Sequence, residues 1–353
     1  MSLFKVTDYD KSVYENELKD FLPDKMIDVH CHIWTKELRK KNAPDYDERA
    51  VKWPSLVAED NSIEDLQETY RLMFPGKQVT PLIFTSTNRE SAPALNNYVL
   101  ESARKTGYPA LYYTLPTQSG EEIEQKIKEG GFLGIKSYLS LSPDYLPEAE
   151  IRIFDFFPHH QLAVINKMKG IVMLHVPRNG RLKDPVNLAQ ILEIKEKYPD
   201  IKLIIAHIGR AYHTNDVGDA FKVLSAAPDL MFDFCANTCE FAMTKLLESF
   251  GPKHAMFGSD FPILRMRMRR IEENNTYINL IPPGLYGDPS QDKHLREVSA
   301  QEGEKLTFFM YEEIRSFKRA ATKLGLTAND VEPCFYSNAK NLIDAARRDI
   351  YGK

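Results

Sequence analysis

Between residues 170 and 262 the chain reads GIVMLHV (170–176), IKLIIAHIG (201–209), DLMFDFCAN (229–237) and HAMFGSDFP (254–262). Runs so uniformly apolar suit strands buried on both faces. The stretches between them, Leu188 to Tyr198, Val217 to Ala226 and Glu240 to Phe250, carry helical spacing. Toward the N-terminus the alternation continues. Strands are predicted at 26–32 (MIDVHCH), 79–87, 109–116 and 131–139, and helices at 95–105, 121–129 and within 149–168. Eight β-rich segments, most followed by a helix, predict an α/β chain folded as a closed (β/α)8 TIM barrel. A doubly wound sheet is the competitor, but no glycine-rich phosphate turn follows the first strand. Gly130, Gly131 and Gly134 do not open a helix, so no dinucleotide fingerprint forms there.

The barrel is expected to be distorted. Residues 1–25 form an amphipathic arm (Val13, Leu18, Phe21, Leu22) stopped by Pro23. Residues 35–78, anchored by Trp53, Leu66, Tyr70 and Met73, are too long for an ordinary βα connection and read as an insertion. Residues 264–300, polar and carrying Arg265, Arg267, Arg269 and Arg270, read as an active-site loop or lid. Two helices, about 302–324 and 337–349, end the chain, and a single domain over 1–353 with a core of about 26–343 is expected.

At 353 residues, 43% hydrophobic, the chain can bury a large core. A net charge of −4 offers no positive field for nucleic acid or an anionic membrane. The apolar runs fall far short of the ~20 residues of a membrane span, and the N-terminus is too acidic and polar for a signal peptide. Four cysteines make no disulfide framework, which points to a reducing, cytoplasmic location. Cys235 and Cys239 are read as packing. The partners expected are a small-molecule substrate, no nucleic acid and no membrane, with homo-oligomerisation left open.

Chemistry in such a barrel gathers at the C-terminal strand ends, so the polar groups that end apolar runs matter most. The first strand delivers His30 and His32, which share a face ~6–7 Å apart on an extended chain. The fourth carries Lys136, the fifth His175, the sixth His207 and the eighth Asp260. One buried histidine is usually a packed residue; five strands delivering such groups to one rim point to a metal centre. Imidazoles and a carboxylate suit Zn²⁺ best, with Mn²⁺, Fe²⁺, Co²⁺ or Ni²⁺ also suited. Such an ion would lower the pKa of a bound water toward ~7 and polarise a carbonyl. Asp260 is placed to serve as ligand, general base and later proton donor. An ammonium ~4 Å from a divalent ion would be repelled by roughly 8 kcal/mol. Lys136 is therefore neutral, swung away, carboxylated to a carbamate that could bridge two ions, or cationic further out and holding a substrate carboxylate.

This set resembles the amidohydrolase superfamily, and more closely its amidohydrolase 2 branch of metal-dependent TIM-barrel hydrolases. The likeness spans about 26–343 and rests on DVHCH, GIK, His175, AHIG, GSDFP and the closing SNAKNLI. The resemblance implies that His30, His32 and Asp260 bind one ion, joined by His175 in single-metal members, where His207 orients or deprotonates the attacking water. In two-metal members a carboxylated Lys136 bridges, and His175 and His207 hold the second ion. Beyond the motifs, Arg178, Arg181 and Arg210 follow the strand ends, and Arg210 and Arg178, with Tyr138, are candidate substrate-binding residues. The activity expected is hydrolysis of an ester, lactone or amide in a small anionic substrate. Non-oxidative decarboxylation on the same metal site and a non-catalytic metal- or ligand-binding barrel are the alternatives. No Gly-x-Ser-x-Gly elbow argues for a serine nucleophile.

Overall fold

The computed structural model describes residues 2–38, 53–85 and 89–352. Eight parallel strands follow one another around the site: β1 (Lys25–His32), β2 (Gln78–Phe84), β3 (Tyr112–Tyr113), β4 (Gly134–Lys136), β5 (Ile171–Leu174), β6 (Lys202–Ile205), β7 (Met231–Asp233) and β8 (Ala255–Met256). β3 to β8 pair in sequence order as one sheet, and β1 pairs with β2. Both seams are bridged, by Ile83 with Ala110 and by Cys31 with Phe261, both parallel. At the second seam the Val29 amide donates to Phe257 O (3.0 Å) and the Asp260 amide to His30 O (2.7 Å). Eight short parallel strands closed in chain order form the expected, distorted (β/α)8 barrel.

Strands are shorter than their apolar runs because each run continues past the last ladder bond into the loop that carries the polar group. The barrel interior is filled by Ile27, Val29, Leu82, Phe84, Leu111, Leu133, Ile171, Met173, Ile204 and Met256. Residues of opposite parity, such as Val172, Leu174, Leu203, Ile205 and Phe232, pack against the helices. Gly134 is required where it stands: φ is +156° and a Cβ would lie 2.0 Å from Ile171 O. The closing helix Asn338–Tyr351 caps the lower end, with Asn338 Nδ2 donating to Pro252 O (2.9 Å) and Ala255 O (2.8 Å).

The N-terminal arm is helical over Asp8–Val13 and continues as a π-helical turn over Tyr14–Leu18. The first insertion contains the helices Trp53–Val57 and Ile63–Met73; its part between 39 and 52, like the end of the strand expected at 79–87, lies outside the described residues. The second insertion corrects the expectation of a loop. It is a three-stranded sheet, β9 (Arg269–Glu273), β10 (Thr276–Ile281) and β11 (Leu295–Glu297), in the order β11–β10–β9. The run YINLI, followed by Pro282, Pro283 and Gly284, supplies its most buried strand, with Tyr277, Ile278, Asn279 and Ile281 all buried. The sheet leans on the rim: Glu272 Oε1 accepts from the Thr214 amide at 3.0 Å. No helix among the described residues is long and apolar enough to cross a membrane.

Candidate metal centre

On β1 the ladder to β2 slips between Asp28 and Cys31, so that Val29 and His30 together face the single residue Leu82. This bulge decides the site. Ile27 and Val29 fill the barrel interior, and an unbroken alternation would send His30 and His32 outward. The extra residue turns both inward. Asp28, fully buried, holds the bulge: its Oδ1 accepts from the amides of His30 (3.1 Å) and Ser259 (2.8 Å). Its Oδ2 accepts from Tyr70 OH at 2.7 Å. Gly258 lets β8 approach, since a Cβ there would stand 3.0 Å from the Cβ atoms of both His30 and Cys235.

The structure gathers His30, His32, His207 and Asp260. Asp260 Oδ1 lies 3.2 Å from His32 Nε2 and 3.6 Å from His30 Nε2. The ring of His30 is 5.5 Å from that of His32 and 4.8 Å from that of His207. His175 stands further round the rim, its ring 5.2 Å from His207 and 4.6 Å from Tyr138. Lys136 is buried beneath, 5.8 Å from the Phe84 ring and 5.9 Å from that of Tyr138, and its Nζ has no hydrogen-bond partner among the described residues. His207, Ile208, Arg210, Ala236 and Asp260 all take positive φ, so conformational strain collects at the ends of β6, β7 and β8.

Three imidazoles are anchored through Nδ1. His30 Nδ1 donates to Asp233 Oδ2 (3.0 Å), His32 Nδ1 to Thr85 O (2.8 Å) and His207 Nδ1 to Cys235 O (3.0 Å). Each bond fixes the tautomer that leaves Nε2 with its lone pair. Two groups of possible metal-ligating atoms result, one of His30, His32 and Asp260 and another of His30, His207, Asp233 and Cys235. The second is already internally bonded. Asp233 Oδ1 accepts from the His207 amide (2.7 Å), the Cys235 amide (3.3 Å) and the Cys235 thiol (2.9 Å), and its Oδ2 from His30. Asp233 is thus an orienting carboxylate, and the first group is the open one.

Burial lowers the imidazole pKa values: His30 is lowered and His207 falls to about 4 against the opposing pull of Asp233 and Asp260, while His175, pushed further down by the Arg210 charge, falls well below the ordinary range. Burial would raise Asp260, but the surrounding imidazoles of His32, His207 and His30 outweigh it and hold the carboxyl well below the usual range. Neutral imidazole nitrogens beside an ionised carboxylate are the donor set a divalent transition ion takes. Burial brings Lys136 down to about 8, although Asp233 and Asp260 pull it up.

The candidate substrate arginines divide. Arg178 is turned to Asp184, its Nε 3.4 Å from the carboxylate, and Arg181 to Asp216 (2.6 Å). Both guanidinium charges are met inside the protein. Arg210 meets no carboxylate among the described residues; its Nη1 donates to Pro177 O (2.9 Å) and Val176 O (3.3 Å), which ties the β6 rim to the β5 rim. Reading strand ends alone misses Asp233, although it interrupts DLMFDFCAN as the other polar groups interrupt their runs, and Cys235, whose carbonyl and thiol both face His207.

A closed barrel with a histidine–aspartate cluster at its C-terminal rim defines a class of metal-site barrels, and comparison narrows it. The amidohydrolase family model matches residues 27–275, so the chain belongs to the amidohydrolase family. No curated protein matches it in sequence. Among solved structures it is similar to a Burkholderia multivorans amidohydrolase with bound zinc (14% identity, 90% of this chain and 99% of that one, TM-score 0.57). It is similar to a Polaromonas dihydroxybenzoic acid decarboxylase with bound manganese and 2-nitroresorcinol (14%, 93% and 100%, 0.54). A third is 4-oxalomesaconate hydratase of Rhodopseudomonas palustris (16%, 92% and 96%, 0.55). At these identities the likeness is one of fold.

Proposed function

We propose that this chain is a metal-dependent hydrolase acting on an ester, lactone or amide carbonyl of a small anionic substrate. One observation carries the reading: two Nε2 lone pairs converge on Asp260 Oδ1, each imidazole locked by an Nδ1 bond on its far side. His30, His32 and Asp260 would hold the ion, with His175 as a further ligand from β5. Zinc fits this nitrogen-rich set best, and manganese is the runner-up. When bound, the ion supplies Lewis acidity, acidifying water and polarising a carbonyl. The remaining chemistry belongs to the chain. Asp260, ionised and partly exposed, takes a proton on its carboxylate and returns it to the leaving group. His207, held by Cys235 O, presents a neutral Nε2 that orients the attacking water or accepts its proton. Arg210 receives an anionic group of the substrate and Tyr138 forms the wall beside His175. Lys136, neutral in part and unpaired, is the group a carbamate would form on if a second ion binds. The four cysteines, all free and buried, suit a reducing cytoplasm.

Non-oxidative decarboxylation is the second reading; it is favoured by the unpaired, largely apolar setting of Lys136 and His175, where a carboxylate would be poorly solvated. Incubating zinc- and manganese-loaded protein with lactones, esters and aromatic or unsaturated acids separates the two. Hydrolysis that Asp260→Asn abolishes is expected, and CO₂ release without hydrolysis overturns the hydrolase reading. Elemental analysis of the same samples should give one ion per chain; two ions would assign Lys136 to a bridging carbamate.

A further inference from the structure

Three arginines around the rim meet carboxylates, Arg178 with Asp184, Arg181 with Asp216 and Arg267 with Asp10, whereas Arg210 bonds backbone carbonyls and Arg265 bonds Asn61 Oδ1. Arg270 meets no carboxylate among the described residues. It lies on β9 and reaches back to the barrel, where Nε donates to Asn279 Oδ1 (2.8 Å) and Nη1 to Ala236 O (2.8 Å). Its guanidinium carbon lies 4.9 Å, 4.5 Å and 4.7 Å from the ring centres of Tyr212, Tyr277 and Phe309. All these partners are neutral. They occupy two of five N–H groups and leave a largely desolvated positive charge without a counter-ion, which is costly.

Its place in the fold gives that charge a use. Ala236 follows Cys235, whose carbonyl holds His207 Nδ1. The Tyr212 ring lies 6.3 Å from the His207 ring and its centre 4.9 Å from the Arg270 guanidinium carbon. Arg270 thus stands one aromatic ring away from the candidate centre. Asn279 takes the Nε proton and Ala236 one Nη1 proton, so among the described residues the N–H groups left for an anion are those of Nη2 and the second of Nη1, an edge that a planar carboxylate matches with two parallel bonds.

We propose that Arg270 receives a second carboxylate of the substrate, remote from the reacting carbon, so that the substrate class is a small dicarboxylate. This rests on the reading above, in which Arg210 receives the first. Tyr212 sets the spacing between Arg270 and His207, and the β9–β11 sheet is the element that carries specificity to the rim.

Calorimetric titration of metal-free and zinc-loaded protein with paired probes tests this: isophthalate against monomethyl isophthalate, and glutarate against monomethyl glutarate. A diacid should bind roughly ten- to a hundredfold more tightly than its half-ester, the worth of a charge-assisted pair. Arg270→Gln should erase that preference while leaving half-ester affinity in place, and Arg270→Lys should restore part of it. Equal binding of diacid and half-ester by the wild type, no binding of either diacid, or a preference that survives Arg270→Gln overturns the proposal. If Arg270→Gln fails to fold, the wild-type comparison and Arg270→Lys decide. Zinc content of the same samples reports on the metal reading separately: protein that selects diacids but holds no ion refutes that reading and leaves Arg270 as an anion receptor.

Discussion

Replacing Asp233 by asparagine asks whether the ion is held by the open group or by the internally bonded one. In the native chain Oδ2 accepts from His30 Nδ1, while Oδ1 accepts from the His207 and Cys235 amides. An asparagine offers one acceptor. If its oxygen stays with the two amides, its NH₂ confronts the His30 Nδ1 proton, and the ring must flip or change tautomer. Either change turns the Nε2 lone pair away from Asp260. Loss of such an orienting carboxylate weakens metal binding by roughly ten- to a hundredfold, which is about 1.4–2.8 kcal/mol. Folding stability should fall by about 1–3 kcal/mol as well, because a buried donor is left unpaired. Zinc and manganese affinities from chelator competition, with urea unfolding of metal-free protein, measure the two effects apart. Cys235→Ala is the control. The His207 ring keeps its bond to the residue-235 carbonyl, so affinity should stay within about twofold if the thiol is no ligand. Native affinity in a folded Asp233→Asn protein would refute the orienting role, and loss of binding in Cys235→Ala would move the ion to the other group.

Asp28→Ala should lower metal affinity as much as a ligand substitution does, because it frees the amides that pin the β1 bulge; Asp28→Asn, which keeps an acceptor for His30 and Ser259, should restore most of it, and equal affinities in the two variants would count against the bulge. For acidity, folded His207 titrates at about 4 rather than at the ordinary imidazole value, so between those limits the unfolded chain binds a proton that the folded chain refuses. Metal-free protein should lose stability as pH falls through that window, by up to about 3 kcal/mol from this group, as followed by urea midpoints. Arg267→Met should cost about 3 kcal/mol at neutral pH by stranding Asp10, a buried carboxylate that also accepts from Thr307 Oγ1 (2.7 Å). Burial pushes the Asp10 carboxyl up, but hydrogen bonds from Arg267, Thr7 and Thr307 more than reverse this, so its contribution is present above the unfolded carboxylate value and lost as pH falls through the lower folded one.

The order of strands was legible because most of the buried runs carry their own evidence, three or four apolar residues in a row as in IVML, LIIA, LMF and AMF, and helices of the right length lie between. The gathering of His30, His32, His207 and Asp260 was legible for the same reason: in a barrel, a polar residue ending such a run has only the rim to occupy. What escaped is of another kind. The second insertion hid a sheet because its one strongly apolar strand, YINLI, shows no clean alternation and lies between the turn residues Asn274-Asn275 and Pro282-Pro283-Gly284. Arg178 looked like Arg210 because proximity to a strand end does not say which carboxylate, Asp184 here, a flexible side chain will find. The direction of the first two histidines is the sharpest case. A period of two places His30 and His32 on one face but cannot say which. With Ile27 and Val29 inside the barrel, the simple answer is the outer face, and the site exists because that answer fails. The failure is held by a bond from Asp28 to the amide of Ser259, 231 residues along the chain. No local pattern can encode such a contact, since the carboxylate and the amide become neighbours only once β8 has closed against β1. Closure of the barrel and orientation of the candidate ligands are therefore one event, and a variant that loosens the β1–β8 seam should lose the metal before it loses the fold.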